Sequence, residues 1–305
     1  MTLNIATSQF PVSSNIVSNK ENIIGQMELA SKNGCDVIHF PEGSLSGYAG
    51  VDFPSFENYD WDSLKAATLQ VMAAAREWGI WVVLGSAHQL TGTHKPHNSL
   101  YVINPQGQII DRYDKLFCAG DETEQTDDLA HYSPGTHFTL FEIKGVCCAV
   151  LICHDYRYPE LYRELKMRNA EVVFHSFHAA GMDADRQHFM EEQVGKENFK
   201  YNPGHTYPEI TMPATMISYA ANNYMWISCA NSAAKESCWA SFMVRADGVI
   251  TGRLEKNVAG VLITEIDLTK QYYDSTKHWR NRAMNGFYHS GTRVDDARSL
   301  NRTGL

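Results

Sequence analysis

Residues 146–163 read VCCAVLICHDYRYPELYR, and the two halves of the stretch have different periods. Val146–Ile152 is an apolar run rich in β-branched residues, short enough for one buried strand. From Pro159 the spacing is helical. Pro159 suits a first helical turn, Glu160 follows it, and Leu161, Tyr162 and Leu165 recur three and four residues apart. Between strand and helix stands Cys153. A nucleophile on such a turn is held out at the strand's carboxyl end, near helix N–H groups. The positive end of the helix is expected to lower the thiol's pKa and favour the thiolate. The plain alternative is a buried, inert cysteine, the commoner fate of the residue. Cys147 and Cys148, inside the apolar run, read that way. Cys153 differs in its company: His154, Asp155, Arg157 and Glu160 cluster behind it, and a structural cysteine needs none of them.

Upstream, strands are expected over residues 3–10, 37–40, 80–87, 99–103, 108–113 and 137–143, with helices over 16–31 and 64–78. Downstream, the pattern predicts strands over 171–176, 225–231, 241–245, 249–254 and 260–266, and helices over 184–193 and 213–222. Strands and helices mix along the whole length with no linker before residue 267. The reading is one α/β domain over 1–266, two sheets covered by helices. Residues 267–305 are polar and read as a C-terminal tail that packs on a partner subunit. Residues 179–212 form a connection too long for an ordinary loop, and are expected to act as a lid or binding loop.

Composition narrows the class. The chain has 305 residues, 44% of them hydrophobic and 20% charged, which suits a globular enzyme with a sizeable core. A formal net charge of −9, with no basic stripe, argues against nucleic acid and anionic membranes as partners. The opening MTLNIATSQF is not patterned as a signal peptide, and no apolar window is long enough for a membrane span. The odd, scattered set of seven cysteines reads as reduced thiols in a cytoplasmic protein.

Two further polar residues closely follow apolar strands: Glu42, in PEGSLSGY, and Lys115, in RYDKLF. The carboxyl ends of strands are where ligand groups gather in α/β sheets. A cysteine nucleophile needs a base for its proton and a positive group for the oxyanion of a tetrahedral intermediate. Glu42, Lys115 and Cys153 offer those three roles.

These three motifs, PEGSLSGY, RYDKLF and LICHDYRYPELYR, resemble the carbon–nitrogen hydrolase (nitrilase) superfamily in order and rough spacing, over about residues 1–266. The ADG turn near the end also fits. The resemblance implies a four-layer α-β-β-α sandwich, commonly paired across subunits into a homodimer or higher homo-oligomer. It implies hydrolysis of a non-peptide C–N bond of a small molecule with no cofactor and no metal. Glu42 would be the base, Cys153 the nucleophile, and Lys115 with the His154 main-chain N–H the oxyanion site. Tyr48, His154 and His178 are candidates for binding substrate. His154-Asp155 after the cysteine looks more like the amidase and N-carbamoyl amidohydrolase branches than the nitrilases, which usually have Trp-Glu there.

The chain departs from the family twice. A second glutamate is common shortly before a Pro-Gly. Here the position six before Pro134 holds Asp128, with Glu122 and Glu124 nearby as longer alternatives. Asp128 is the expected second acid. A late Arg-Ala pair is replaced by Tyr219-Ala220. Two rival readings remain: a metal site on His175, His178, His188 and His205, which lack the usual ligand spacing, and a non-catalytic binding member of the superfamily.

Overall fold

The computed structural model describes residues 2–304. The strands divide into two six-stranded sheets. The first is ordered β12-β1-β2-β3-β4-β5, with β1 Thr2–Gln9, β2 Val37–His39, β3 Trp81–His88, β4 His97–Ile103, β5 Ile109–Asp114 and β12 Gly260–Asp267. The second is ordered β11-β10-β9-β8-β7-β6, with β6 Leu140–Ile143, β7 Val146–Ile152, β8 Val172–Ser176, β9 Trp226–Ala230, β10 Phe242–Val244 and β11 Ile250–Arg253. Each has a parallel centre, β1-β2-β3 and β7-β8-β9, flanked by antiparallel strands. The last strand, β12, returns to pair with the first, Thr2 opposite Asp267.

Strand periodicity decides what each face meets. On β1, Leu3 and Ile5 point to the other sheet, while Ala6 joins the opposite face. That face packs on α1 (Ile16–Lys32) and α2 (Trp61–Trp78) through Ile23, Met27, Leu64 and Val71. The second sheet is covered by α3 (Pro159–Met167) and α5 (Tyr207–Asn223) through Tyr162, Leu165, Met212 and Met216. The order is therefore helix, sheet, sheet, helix, as the motifs implied. A buried polar seam joins the sheets. His39 Nδ1 lies 2.9 Å from Ser228 Oγ, His39 Nε2 lies 2.8 Å from Ser176 Oγ, and Thr7 Oγ1 lies 2.7 Å from Ser228 Oγ. Each buried group has a partner, so the seam avoids the cost of an unpaired one.

Several boundaries differ from the sequence reading. The helix expected over 213–222 starts at Tyr207 and carries Pro213 within it. Glu209 Oε2 accepts from the main-chain N–H groups of His205 and Thr206, a capping carboxylate that launches the helix two turns earlier. Residues 207–212, counted with the lid, are thus helix. The strand expected from His137 begins at Leu140. Beyond residue 267 the chain is not loose throughout. Asp274 and Arg280 make a largely buried ion pair at 2.8 Å, and the Tyr272 N–H donates to Tyr224 Oη at 3.0 Å. Among the described residues no helix is long and apolar enough to cross a membrane.

Candidate active site

Cys153 follows β7 directly and opens a short 3-10 turn, Cys153–Arg157, ahead of α3. Its φ is +35°, a left-handed conformation that costs energy for a residue with a side chain. The turn is held by Asp155, whose carboxylate accepts from Ile152 N–H at 2.9 Å, Phe117 N–H at 2.9 Å and Tyr113 Oη at 2.8 Å. Asp155 therefore ties the cysteine turn to the segment that carries Lys115. Even with three donors, burial lifts its carboxyl to about 6. From the other side, His175 Nε2 contacts the Cys153 carbonyl at 3.2 Å and its Nδ1 meets Tyr162 Oη at 2.5 Å.

Glu42 sits just beyond β2 and is fully buried. Its Oε1 accepts from Lys115 Nζ at 2.9 Å and Asn98 Nδ2 at 2.7 Å, and its Oε2 accepts from the His178 main-chain N–H at 2.9 Å. The turn that carries Glu42 presses so closely on β3 that a Cβ at Gly85 would collide with the Pro41 carbonyl. Lys115, at the end of β5, also donates to Asp128 Oδ2 at 2.6 Å. Asp128 lies in a 3-10 turn, Asp127–Ala130, and is itself buried. Its Oδ2 accepts from Ala119 N–H at 3.0 Å and its Oδ1 from the Tyr48 hydroxyl. The Pro134-Gly135 step explains the spacing. Gly135 N–H donates to the Lys115 carbonyl at 2.8 Å, and a Cβ there would strike the Asp114 backbone.

The charges set the protonation states. Burial works against the Lys115 ammonium, but Asp128 and then Glu42 raise its pKa well above the usual lysine value. Burial opposes ionisation of Asp128 too, and Lys115 overrides it, holding the carboxyl below its ordinary value. One ammonium against two carboxylates leaves no spare positive charge for a thiolate. Burial first, then Glu42, push the Cys153 thiol well above its ordinary value. The expectation that the helix end favours the thiolate is overturned: enclosure and a nearby carboxylate outweigh a helix terminus worth about 1 kcal/mol. The surroundings of Cys153 therefore favour the neutral thiol over the thiolate.

The structure brings Glu42, Lys115 and Asp128 into direct contact and places Cys153 beside them. Glu122 and Glu124 are exposed, away from the cluster. Tyr48 gives its hydroxyl to Asp128 and stacks on the His178 ring, centroids 5.0 Å apart. The His178 ring is enclosed, its Nε2 3.0 Å from Asp52 Oδ2; the part of His178 that meets Glu42 is its main-chain N–H. His154 is half-buried at the head of the cysteine turn, with burial first and then Lys115 depressing its pKa. The four histidines of the metal reading do not gather. His188 pairs with Glu192 on the exposed face of α4 (Ala184–Val194), and His205 stacks on Phe199. No group of three or more potential metal ligands occurs among the described residues.

Asn98 and Asp52 went unread in the sequence, and His175 entered it only as a candidate metal ligand. Asn98 follows His97 in β4, and its carbonyl accepts from the Lys115 N–H at 2.9 Å, which sets it beside the strand end that carries Lys115. The others are recognised only through partners distant in sequence.

The family model for carbon–nitrogen hydrolases matches residues 4–273. The chain belongs to the carbon–nitrogen hydrolase family. The 2-oxoglutaramate amidase of Bacillus subtilis is 28% identical over 148 residues, 48% of this chain and 54% of that protein. An omega-amidase of Bos taurus is 28% identical over 178 residues, 56% and 62% of the two chains. The matches to these relatives thus span little more than half of their lengths. A nitrilase-superfamily amidase of Nesterenkonia, solved as a cysteine-to-alanine variant, superposes with a TM-score of 0.69 at 20% identity, covering 93% of this chain and 97% of that one. This likeness establishes the sandwich as the family's fold.

Proposed function

We propose that this chain hydrolyses a C–N bond of a small polar amide or N-carbamoyl compound through a covalent Cys153 intermediate. The observation that carries the reading is the enclosed Glu42–Lys115–Asp128 cluster set beside a strained, half-buried cysteine. Cys153 Sγ attacks the carbonyl carbon while Glu42 takes the thiol proton. The oxyanion forms against Lys115 and the His154 main-chain N–H, which lies in the first turn of the 3-10 segment, where donors have no helical acceptor. Glu42 returns the proton to the leaving nitrogen, and ammonia or an amine departs. Water then attacks the thioester, Glu42 accepts its proton, and collapse releases the acid and restores the thiol. Asp128 holds Lys115 charged and aimed, and the Tyr48 hydroxyl holds Asp128. Asp128 is one methylene shorter than a glutamate. Its position on a buried 3-10 turn, sewn back to Ala119, brings it into contact with Lys115 directly.

Residues 1–266 would form the hydrolase domain, with 179–212 as its lid. Helix α4 within that lid has no buried residue, and the lid's end borders a cleft of about 390 Å³ shared with Trp239, Arg253 and Lys256. The C-terminal segment exposes Tyr273, Phe287 and Tyr288, which fits packing on a second copy in a homo-oligomer. Seven free thiols, four of them buried, suit a reducing compartment such as the cytoplasm.

Incubation with a panel of amides, N-carbamoyl compounds and nitriles, with ammonia as the readout, tests the reading. Turnover of an amide or carbamoyl compound that disappears in Cys153→Ala is the expected result. Ammonia release only from nitriles moves the chain to that alternative. No turnover of any class, with Cys153 no more reactive than the other cysteines, points to a non-catalytic binder.

A further inference from the structure

Behind Glu42 lies a second buried charge pair that the mechanism above does not use. Asp52 Oδ2 lies 3.0 Å from His178 Nε2, with the two side chains 9% and 0% exposed. The same oxygen accepts from the Tyr48 main-chain N–H at 2.8 Å. The His178 ring lies nearly parallel to the Tyr48 ring, at 19°. Tyr48 hands its hydroxyl to Asp128, and the Lys115 ammonium lies 6.0 Å from the Tyr48 ring centre. The His178 main-chain N–H closes the circuit on Glu42 Oε2. The path Asp52–His178–Tyr48–Asp128–Lys115–Glu42 thus returns to His178.

We propose that the Asp52–His178 pair is a positioning device for the catalytic cluster. It clamps the Tyr48 ring against the lysine–aspartate contact and the His178 N–H against the base. The inference rests on the hydrolase reading and deepens it. A carboxylate and an imidazole enclosed here are costly unless the geometry is held. A scaffold role alone would be served as well by two apolar side chains. The pair is also electrically placed. Burial works against the imidazolium, yet Asp52 raises the His178 pKa above its ordinary value, with Glu42 adding to it. The other charged and titratable groups around the pair and the Tyr48 ring it clamps are Tyr48 itself, Lys115, Asp128, Cys153 and Tyr132.

The test is the pH profile of Cys153 alkylation by iodoacetamide, read by mass spectrometry of the Cys153 peptide, which needs no knowledge of the substrate. In His178→Phe a ring still covers Tyr48, but Asp52 loses its cation. The uncompensated negative charge raises the Cys153 thiol further, so the half-maximal pH of alkylation should move up by about half a unit or more. The rate at neutral pH should fall about threefold or more, following thiolate formation. Adding Asp52→Asn removes the stranded charge and should return the midpoint to about its original value. On an active substrate, kcat should fall about tenfold in both variants with KM changed less than about twofold, since positioning acts on the transition state. A midpoint unmoved in His178→Phe overturns the proposal, whether or not the melting temperature falls. Failure of the hydrolase reading looks different: the wild-type chain turns over nothing, while the alkylation profiles still part.

Discussion

The fully buried His175 makes a prediction about acid stability that does not depend on the substrate. Its imidazole is held between Tyr162 Oη and the Cys153 carbonyl, and burial drives its pKa from 6.5 to about 3. The folded state therefore refuses a proton that the unfolded chain accepts. Above about pH 6.5 both states are neutral at this position and no stability is lost. As pH falls below that value the unfolded state is protonated first, and stability declines until about pH 3, where the folded state also binds. The full difference is worth about 5 kcal/mol, at about 1.4 kcal/mol per pH unit. Between about pH 7 and about pH 4.5, linkage assigns His175 a loss of about 2.5 kcal/mol. His39, buried and also depressed by burial and by His175, adds a loss of the same sign. Asp155, raised to about 6, acts oppositely and regains stability as pH falls. The useful quantity is therefore a difference between proteins. Urea unfolding of wild type and His175→Gln at the two pH values should show the variant losing about 2.5 kcal/mol less on acidification, whatever its stability at neutral pH. Equal losses, within about 0.5 kcal/mol, would refute the assignment of a neutral, proton-refusing imidazole.

Other expectations concern the cluster and its cover. Cys153→Ala should abolish ammonia release at unchanged melting temperature, a fall on the order of a million-fold, and turnover within about tenfold of wild type would sink the covalent route. Glu42→Gln should cut turnover about a hundredfold or more, while Cys153 alkylates with iodoacetamide at neutral pH at least as fast as in wild type, because loss of the Glu42 charge lowers the thiol; turnover near wild type would mean that Glu42 does not serve as a base. Asp128→Asn should cut kcat about a hundredfold with a smaller change in KM, while Glu122→Gln and Glu124→Gln stay near wild type. The reverse pattern would show that the loop presents a different acid to Lys115 in solution. Shortening residues 184–201 should alter which amides are accepted more than it alters stability, since α4 contributes nothing to the core; a large fall in melting temperature with an unchanged substrate profile would make this segment scaffold.

Much of the molecule could be read from the chain because it is written in local periods. Val146–Ile152 is apolar without interruption because β7 is covered on both faces, and Leu161, Tyr162 and Leu165 mark the one face that α3 buries. Glu42, Lys115 and Cys153 stood out because each is a reactive residue one or two positions beyond an expected strand, and chain order alone places such residues at strand ends. Pairing decided the rest. Asp128 rather than Glu122 or Glu124 meets Lys115 because the Pro134-Gly135 backbone folds against Asp114–Lys115, a contact that no window of sequence contains. Asp52 and His178 are 126 residues apart, and Thr7 and Ser228 are 221 apart. The thiol's protonation state was misjudged for the same reason. The sequence displays the helix end beside Cys153, whereas desolvation and the charge of Glu42 exist only once β2 and β7 are brought together in facing sheets.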